Sequence, residues 1–200
     1  MQHNEIRITD LSKAFGEKTV FCNLSLTFQN RAITCLMGAS GSGKTTLLRI
    51  LLGLEKADGG KIEGLEKPII CLFQEDRLFE DFSVLKNIRA AAPQASHEEI
   101  LAHLTELGLA DEQKSPVRSL SGGMKRRVAL IRAVLAPSAT LLLDEPFKGL
   151  DMQTAKTAAD YLLRHRNGRT VLLVTHESDV AQRLAAPIVT LPFSSQAAED

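Results

Sequence analysis

The chain is 200 residues long, 44% hydrophobic and 24% charged, which suits one globular domain with room for an inserted subdomain and excludes a disordered chain. Lys plus Arg equals Asp plus Glu at 24 each, so net charge gives no reason to expect a nucleic-acid partner. The longest apolar runs, residues 68–73 and 141–143, fall far short of the ~20 residues of a membrane span, and the opening Met-Gln-His-Asn-Glu lacks the pattern of a secretory signal.

Residues 5–9 and 19–28 alternate apolar and polar side chains (Ile6, Ile8; Val20, Leu24, Leu26, Phe28), which predicts two half-buried antiparallel strands. Residues 32–37 form a mostly apolar strand leading into a glycine-rich loop, and residues 45–54, with Leu47, Leu48, Leu51 and Leu52, read as the helix after it. Asp58, Gly59 and Gly60 read as a turn before a short strand at 61–65. From Ser83 to Ala136 the pattern is mostly helical. Ser96 and Glu99 form a capping box ahead of Ile100, Leu101, Leu104 and Leu107, and Gly108 stops that helix. Residues 140–143 and 170–175 read as buried strands flanking a helix at about 152–165. The pattern predicts an α/β fold: a single domain over residues 1–200, with an N-terminal antiparallel β subdomain and a helical subdomain inserted at about 75–136. No internal repeat, low-complexity segment or long linker divides it.

The loop fits G-x-x-x-x-G-K-[ST] with Gly38, Gly43, Lys44 and Thr45, between a strand and a helix as that pattern requires. Gly38, Ala39, Ser40, Gly41, Ser42 and Gly43 are expected to turn successive N–H groups toward one anion, with the helix dipole behind them. Lys44 is expected to reach the β/γ-phosphates, Thr45 to ligate Mg²⁺ and Thr46 to add a further phosphate contact. Asp144, at the end of a later buried strand, is the expected Mg²⁺ partner. Consecutive strand residues point to opposite sides, so the adjacent Glu145 is expected to serve another point and polarise the attacking water. Leu120-Ser121-Gly122-Gly123-Met124 is a second small turn opening a helix, and its free N–H groups suit a second anion.

Gly38 to Thr46, Leu120 to Met124 and Asp144-Glu145-Pro146, in this order and spacing, resemble the nucleotide-binding subunit of an ABC transporter over nearly the whole chain. The resemblance implies the ABC ATPase fold, a P-loop NTPase core, with ATP and Mg²⁺ as cofactors. Gln74 resembles the Q-loop glutamine, which senses Mg²⁺ and links the ATP site to the membrane partner. His176 resembles the switch histidine near the γ-phosphate, and Gly149-Leu150-Asp151 the D-loop that crosses the dimer interface. Phe15 resembles the aromatic residue that stacks on adenine, with a phenyl ring where many members have Tyr. Met124 stands where the family usually has Gln, and a thioether cannot donate a hydrogen bond.

The resemblance further implies a head-to-tail homodimer, in which Ser121, Gly122 and Gly123 of one copy close over ATP held by Lys44 of the other. Separate integral membrane permease subunits would dock after Gln74, with Leu78, Phe79 and Phe82 as candidates for the groove, and a solute-binding protein would belong to the same system. The subunit would sit on the cytoplasmic face of the cell membrane; Cys22, Cys35 and Cys71, unevenly spaced, fit reduced cytosolic thiols. Within the family, the L-S-G-G-M form and residues 73–78 resemble importers of nitrate, sulfonate, taurine and pyrimidine-type compounds. With few residues after Pro192, regulation by a C-terminal domain is not expected. The alternative is a soluble ABC-type ATPase in DNA repair or translation, but such proteins usually fuse two ATPase units or insert long coiled coils. A non-hydrolysing module would lack Glu145 or His176.

Overall fold

The structure, a computed structural model, describes residues 4–192. In chain order it runs β1 (Glu5–Phe15), β2 (Lys18–Gln29), β3 (Ile33–Met37), α1 (Lys44–Leu51), β4 (Gly59–Glu63), β5 (Ile69–Leu72), α2 (Val84–Ala91) and α3 (His97–Glu106). Then follow α4 (Gly122–Leu135), β6 (Thr140–Asp144), α5 (Met152–His165), β7 (Thr170–Val174), α6 (Ser178–Arg183) and β8 (Ile188–Thr190).

The opening strands pair antiparallel as their alternation predicts, with Ile6 opposite Phe28 and Ile8 opposite Leu26. β4 adds on the far side of β1, giving the order β2-β1-β4. Gly59 and Gly60, read from sequence as a turn, are strand residues instead. Gly60 has φ +86°, and a Cβ there would lie 2.5 Å from the Asp10 carbonyl oxygen, so close backbone approach rather than turning explains the glycine. The second sheet is parallel with order β5-β6-β7-β3-β8, which places the strand before the phosphate loop beside β7 and within the sheet.

Every residue of β6 and β7 is buried, because both faces of the parallel sheet are covered. Alternate residues serve different layers. Leu142 and Leu172 pack with Leu36, with Leu47 and Leu51 of α1, and with Ile6 and Ile8 of the antiparallel sheet. Leu141, Leu143, Val171 and Leu173 face the other way, onto a larger cluster with Ile88, Leu104, Leu130 and Tyr161 from α2 to α5. α1 is shorter than its apolar pattern suggested, because Gly53 at φ +74° turns the chain out of the helix.

Local signals set the helix ends. Ser96 Oγ accepts from the Glu99 N–H at 3.0 Å. At the other end of α3, Gly108 takes φ +66°, with Leu109 N–H donating to Leu104 O at 2.7 Å and Gly108 N–H to Thr105 O at 3.0 Å. α3 meets α5 at a polar seam. His103 Nδ1 lies 2.8 Å from the buried Tyr161 hydroxyl, the His103 and His165 rings are 4.5 Å apart, and Glu106 binds both His165 Nε2 (2.7 Å) and Arg164. Burial, reinforced by the nearby His165, holds the His103 pKa below the usual histidine value. Among the described residues, no helix is long and apolar enough to cross a membrane.

Candidate active site

The loop from β3 to α1 is seated on the antiparallel sheet. Gly43 has φ +90°, and a Cβ there would fall 2.6 Å from the Phe21 ring and 2.7 Å from Val20, so only glycine lets the loop lie this close to β2. Lys44, the first residue of α1, curls back over the loop and donates to Gly38 O at 2.8 Å and Ala39 O at 2.9 Å. Its pKa is lowered by burial, while Glu145 and Asp144 pull it the other way. Thr45 Oγ1 donates to Asp144 Oδ2 at 3.1 Å, so the loop hydroxyl and the strand-end carboxylate are already in register.

Glu145 departs from the sequence expectation. It lies beyond the end of β6 at φ +51°, with its N–H donating to Val174 O at 2.9 Å. The strand alternation therefore no longer applies, and Asp144 and Glu145 both face one cleft instead of opposite sides. Their partners differ all the same. Glu145 Oε1 sits 3.2 Å from Nε2 of His176, a half-exposed ring just past β7. Burial raises both carboxyls above the usual range; the Thr45 hydrogen bond and the Arg126 cation draw Asp144 down, and His176 draws Glu145 down while Asp144 pushes it up.

The cleft measures about 610 Å³ and brings together Phe15, Ser40, Gly41, Gly43, Lys44, Thr45, Thr46, Gln74, Asp144, Glu145 and His176. Phe15 is half-exposed at its rim, with Lys13 Nζ 4.7 Å from the ring centroid; Lys13 is tied in turn to Glu55 at 2.9 Å and Asp58 at 3.4 Å. Three loop residues are not brought to the cleft. Gly38 and Ala39 spend their carbonyls on Lys44, and the Ser42 N–H donates to Ala39 O at 3.1 Å. The Ser42 hydroxyl is buried without a hydrogen-bond partner. Lys18, Val20, Lys148 and Val174 also line the cleft, and their sequence positions carried no signal beyond strand or turn.

Ser121, Gly122, Gly123 and Asp151 lie outside this cleft. Ser121 caps α4, its Oγ accepting from Met124 N–H at 3.3 Å, with Gly122 and Gly123 in the first turn. Asp151 caps α5, accepting from Gln153 and Thr154 N–H at 3.0 Å each and from the Thr154 hydroxyl at 2.6 Å. Met124 packs against the larger apolar cluster. The largest omission of the sequence reading is Arg126, whose buried guanidinium bonds to the carbonyls of Asp144, Glu145 and Pro146. In sequence it sits in a basic run, Lys125-Arg126-Arg127, that resembles a solvated helix face.

Residues 21–148 match the family described as ABC transporter. The chain belongs to the ABC transporter family. Among its relatives are two import ATP-binding proteins for aliphatic sulfonates. SsuB 3 of Rhodococcus jostii is 38% identical over 93% of this chain and 70% of the relative, and SsuB of Corynebacterium glutamicum is 39% identical over 92% and 79%. A dimeric ATP-binding cassette in a post-hydrolysis state with ADP and Pi superposes at TM-score 0.79, with 25% identity over 93% of this chain and 94% of that one. A bacterial Atm1-family ABC exporter with ATP bound superposes at TM-score 0.83; at 21% identity it shows the fold alone, and this chain spans 37% of it. The fold is thus that of an ABC ATPase, and the chain is an ATP-hydrolysing subunit of this transporter family.

Proposed function

We propose that this ABC transporter subunit binds MgATP in the Lys44 cleft, hydrolyses it with Glu145 as base, and so energises import of a small sulfonate-class anion through separate membrane permeases. The observation that carries the reading is the convergence of Lys44, the Thr45–Asp144 pair and the Glu145–His176 pair on one cleft. The sulfonate class and the import direction rest on the relatives named above.

The donor set fits Mg²⁺. Thr45 and Asp144 supply adjacent hard oxygens, Gln74 lines the same cleft, and no group of three or more His, Cys, Asp or Glu is poised for a metal among the described residues. Mg²⁺ needs few protein ligands, because substrate phosphates and water complete its shell. When bound, it would neutralise charge on the phosphate oxygens. Lys44 would hold the phosphates from the loop side, and the N–H groups around Gly41 and Gly43 would face them. Glu145 would orient and deprotonate the attacking water, with His176 fixing the carboxylate 3.2 Å away. Phe15 would stack on the adenine.

Ser121, Gly122 and Gly123 would complete the site of a second copy in a head-to-tail dimer, with Asp151 close to the seam. Residues 75–136 would act as the inserted helical subdomain. Phe79 and Phe82, 53% and 47% exposed with ring centroids 5.3 Å apart, offer an apolar docking surface to the permease. Leu78 is partly buried against the core beside them. A solute-binding protein would deliver the anion, and the subunit would work on the cytoplasmic face of the membrane. Nothing in the site favours a repair or translation ATPase.

Glu145→Gln tests the reading. We expect ATP binding to be retained, turnover to fall about 10³-fold and an ATP-bound dimer to accumulate on size-exclusion chromatography. Unchanged phosphate release would remove Glu145 from the mechanism.

A further inference from the structure

Arg126 lies in the first half of α4 with a side chain only 4% exposed, between the end of β6 and the segment that follows β5. On one side Nη2 donates to Asp144 O (2.6 Å) and Glu145 O (2.7 Å), and Nε to Pro146 O (3.2 Å). On the other, Nη1 donates to Phe73 O (2.8 Å), Gln74 O (3.3 Å) and the Asp76 carboxylate (2.9 Å). A guanidinium has five N–H donors in a fixed fork, so this one is fully used across two separate segments. Arg132, further along α4, extends the same clamp by donating to Asp76 O and Arg77 O at 2.9 Å each.

Two features make the fork more than a packing device. Glu145 sits at φ +51°, a conformation that non-glycine residues keep only with external support, and its carbonyl is one of those Arg126 holds. Moreover, Arg126 lies only about 7 Å along the helix axis from Ser121, at about 1.5 Å per residue, so a shift of the α4 N-terminus reaches it without an intervening joint. We propose that Arg126 is a positioning residue coupling the Ser121-Gly122-Gly123 end of α4 to Glu145 and Gln74. Engagement of a second copy's nucleotide by α4 thereby sets the backbone at the Glu145 and Gln74 of this chain's own cleft. The inference rests on the roles proposed above for Glu145, Gln74 and the α4 turn.

The mechanism requires a fork rather than a charge. Lysine presents its donors from one point and cannot span both segments. Three full-length variants test it, Arg126→Lys, Asp76→Asn and, as control, Glu145→Gln, each measured for thermal midpoint, ATP Kd, kcat, KM and the Hill coefficient for ATP. For Arg126→Lys we expect kcat to fall about 10–100-fold with KM and Kd within about threefold, and the Hill coefficient to fall toward that of independent sites. Asp76→Asn loosens one tine from the partly exposed side and should lower kcat about two- to fivefold with KM unchanged.

Wild-type kcat and cooperativity in folded Arg126→Lys would overturn the proposal, as would a loss of ATP affinity parallel to the loss of kcat. If Arg126→Lys does not fold, Asp76→Asn decides, and wild-type kcat in that variant overturns it. A Glu145→Gln variant that still turns over ATP would place the fault in the role of Glu145, and the proposal would fall with it. An inactive Glu145→Gln beside a fully active Arg126→Lys would sink the proposal alone.

Discussion

The loop at Lys44 and the turn at Ser121 are both glycine-bearing openings of a helix, yet the chain treats them differently. Around Lys44 nearly every functional group already has a neighbour: the ammonium has two carbonyls, Thr45 has Asp144, and Glu145 has His176. At Ser121 the hydroxyl makes one capping bond, and a Cβ on Gly122 would meet nothing within 4 Å. The first site is organised by contacts within its own chain. The second is open at Gly122, while Gly123 backs onto Leu150 and Gly149, which is compatible with the half-site role proposed above.

Breaking the organised side should have the larger effect. Lys44→Ala removes the charge that its own loop holds ready, and we expect ATP affinity to fall about 100-fold by calorimetry, the scale of a lost charge-assisted hydrogen bond. An unaltered Kd would contradict the assignment. Gly122→Asp probes the open side. The carboxylate has room and suits a helix N-terminus, so folding and ATP binding should match wild type, while turnover falls at least about tenfold from repulsion of the partner's nucleotide. Equal turnover would mean that the turn never meets a phosphate. Phe15→Ala should raise KM for ATP about tenfold and leave kcat alone if, as proposed, its ring stacks on the base and not on the reacting phosphate.

The smallest effect is expected at the α3–α5 seam, away from both sites. Burial and the nearby His165 disfavour the charged form of His103 in the folded protein, whereas the unfolded chain takes up that proton below about pH 6.5. The unfolded state then binds more protons, so stability is lost as pH falls through that value toward the lower folded pKa. The thermal midpoint should drop by a few degrees on acidification, and His103→Gln should flatten the slope. An identical slope in the variant would exclude His103 as the source.

What the sequence revealed and what it hid follow from how local each feature is. The phosphate loop, the Asp144 strand end and the Ser96 cap depend on neighbours within a few residues, and their patterns are readable. The shared cleft of Asp144 and Glu145 was not, because a positive φ at a glutamate has no compositional mark. Ser42 and Asp151 read as ligand contacts from their place in motifs; in the structure the Asp151 carboxylate caps a helix, and the buried Ser42 hydroxyl has no hydrogen-bond partner. Arg126 was hidden for the opposite reason. Apart from the Asp76 carboxylate, its acceptors are backbone carbonyls from residues 73–74 and 144–146, and carbonyls leave no side-chain pattern to match it.

The hairpin of β1 and β2 acts as a caliper. Phe15 forms one jaw, steadied by Lys13 and its two carboxylates, and Val20 with Phe21, a few residues on, forms the other, against which Gly43 and the loop rest. On the reading proposed above, the gap between the jaws would be the span from nucleobase to phosphates, set by one short piece of antiparallel ladder. If Phe15 and the loop hold the two ends of a nucleotide, changes at the tip, Gly16 at φ +58° and Glu17, would be expected to alter nucleotide affinity before the rate of cleavage.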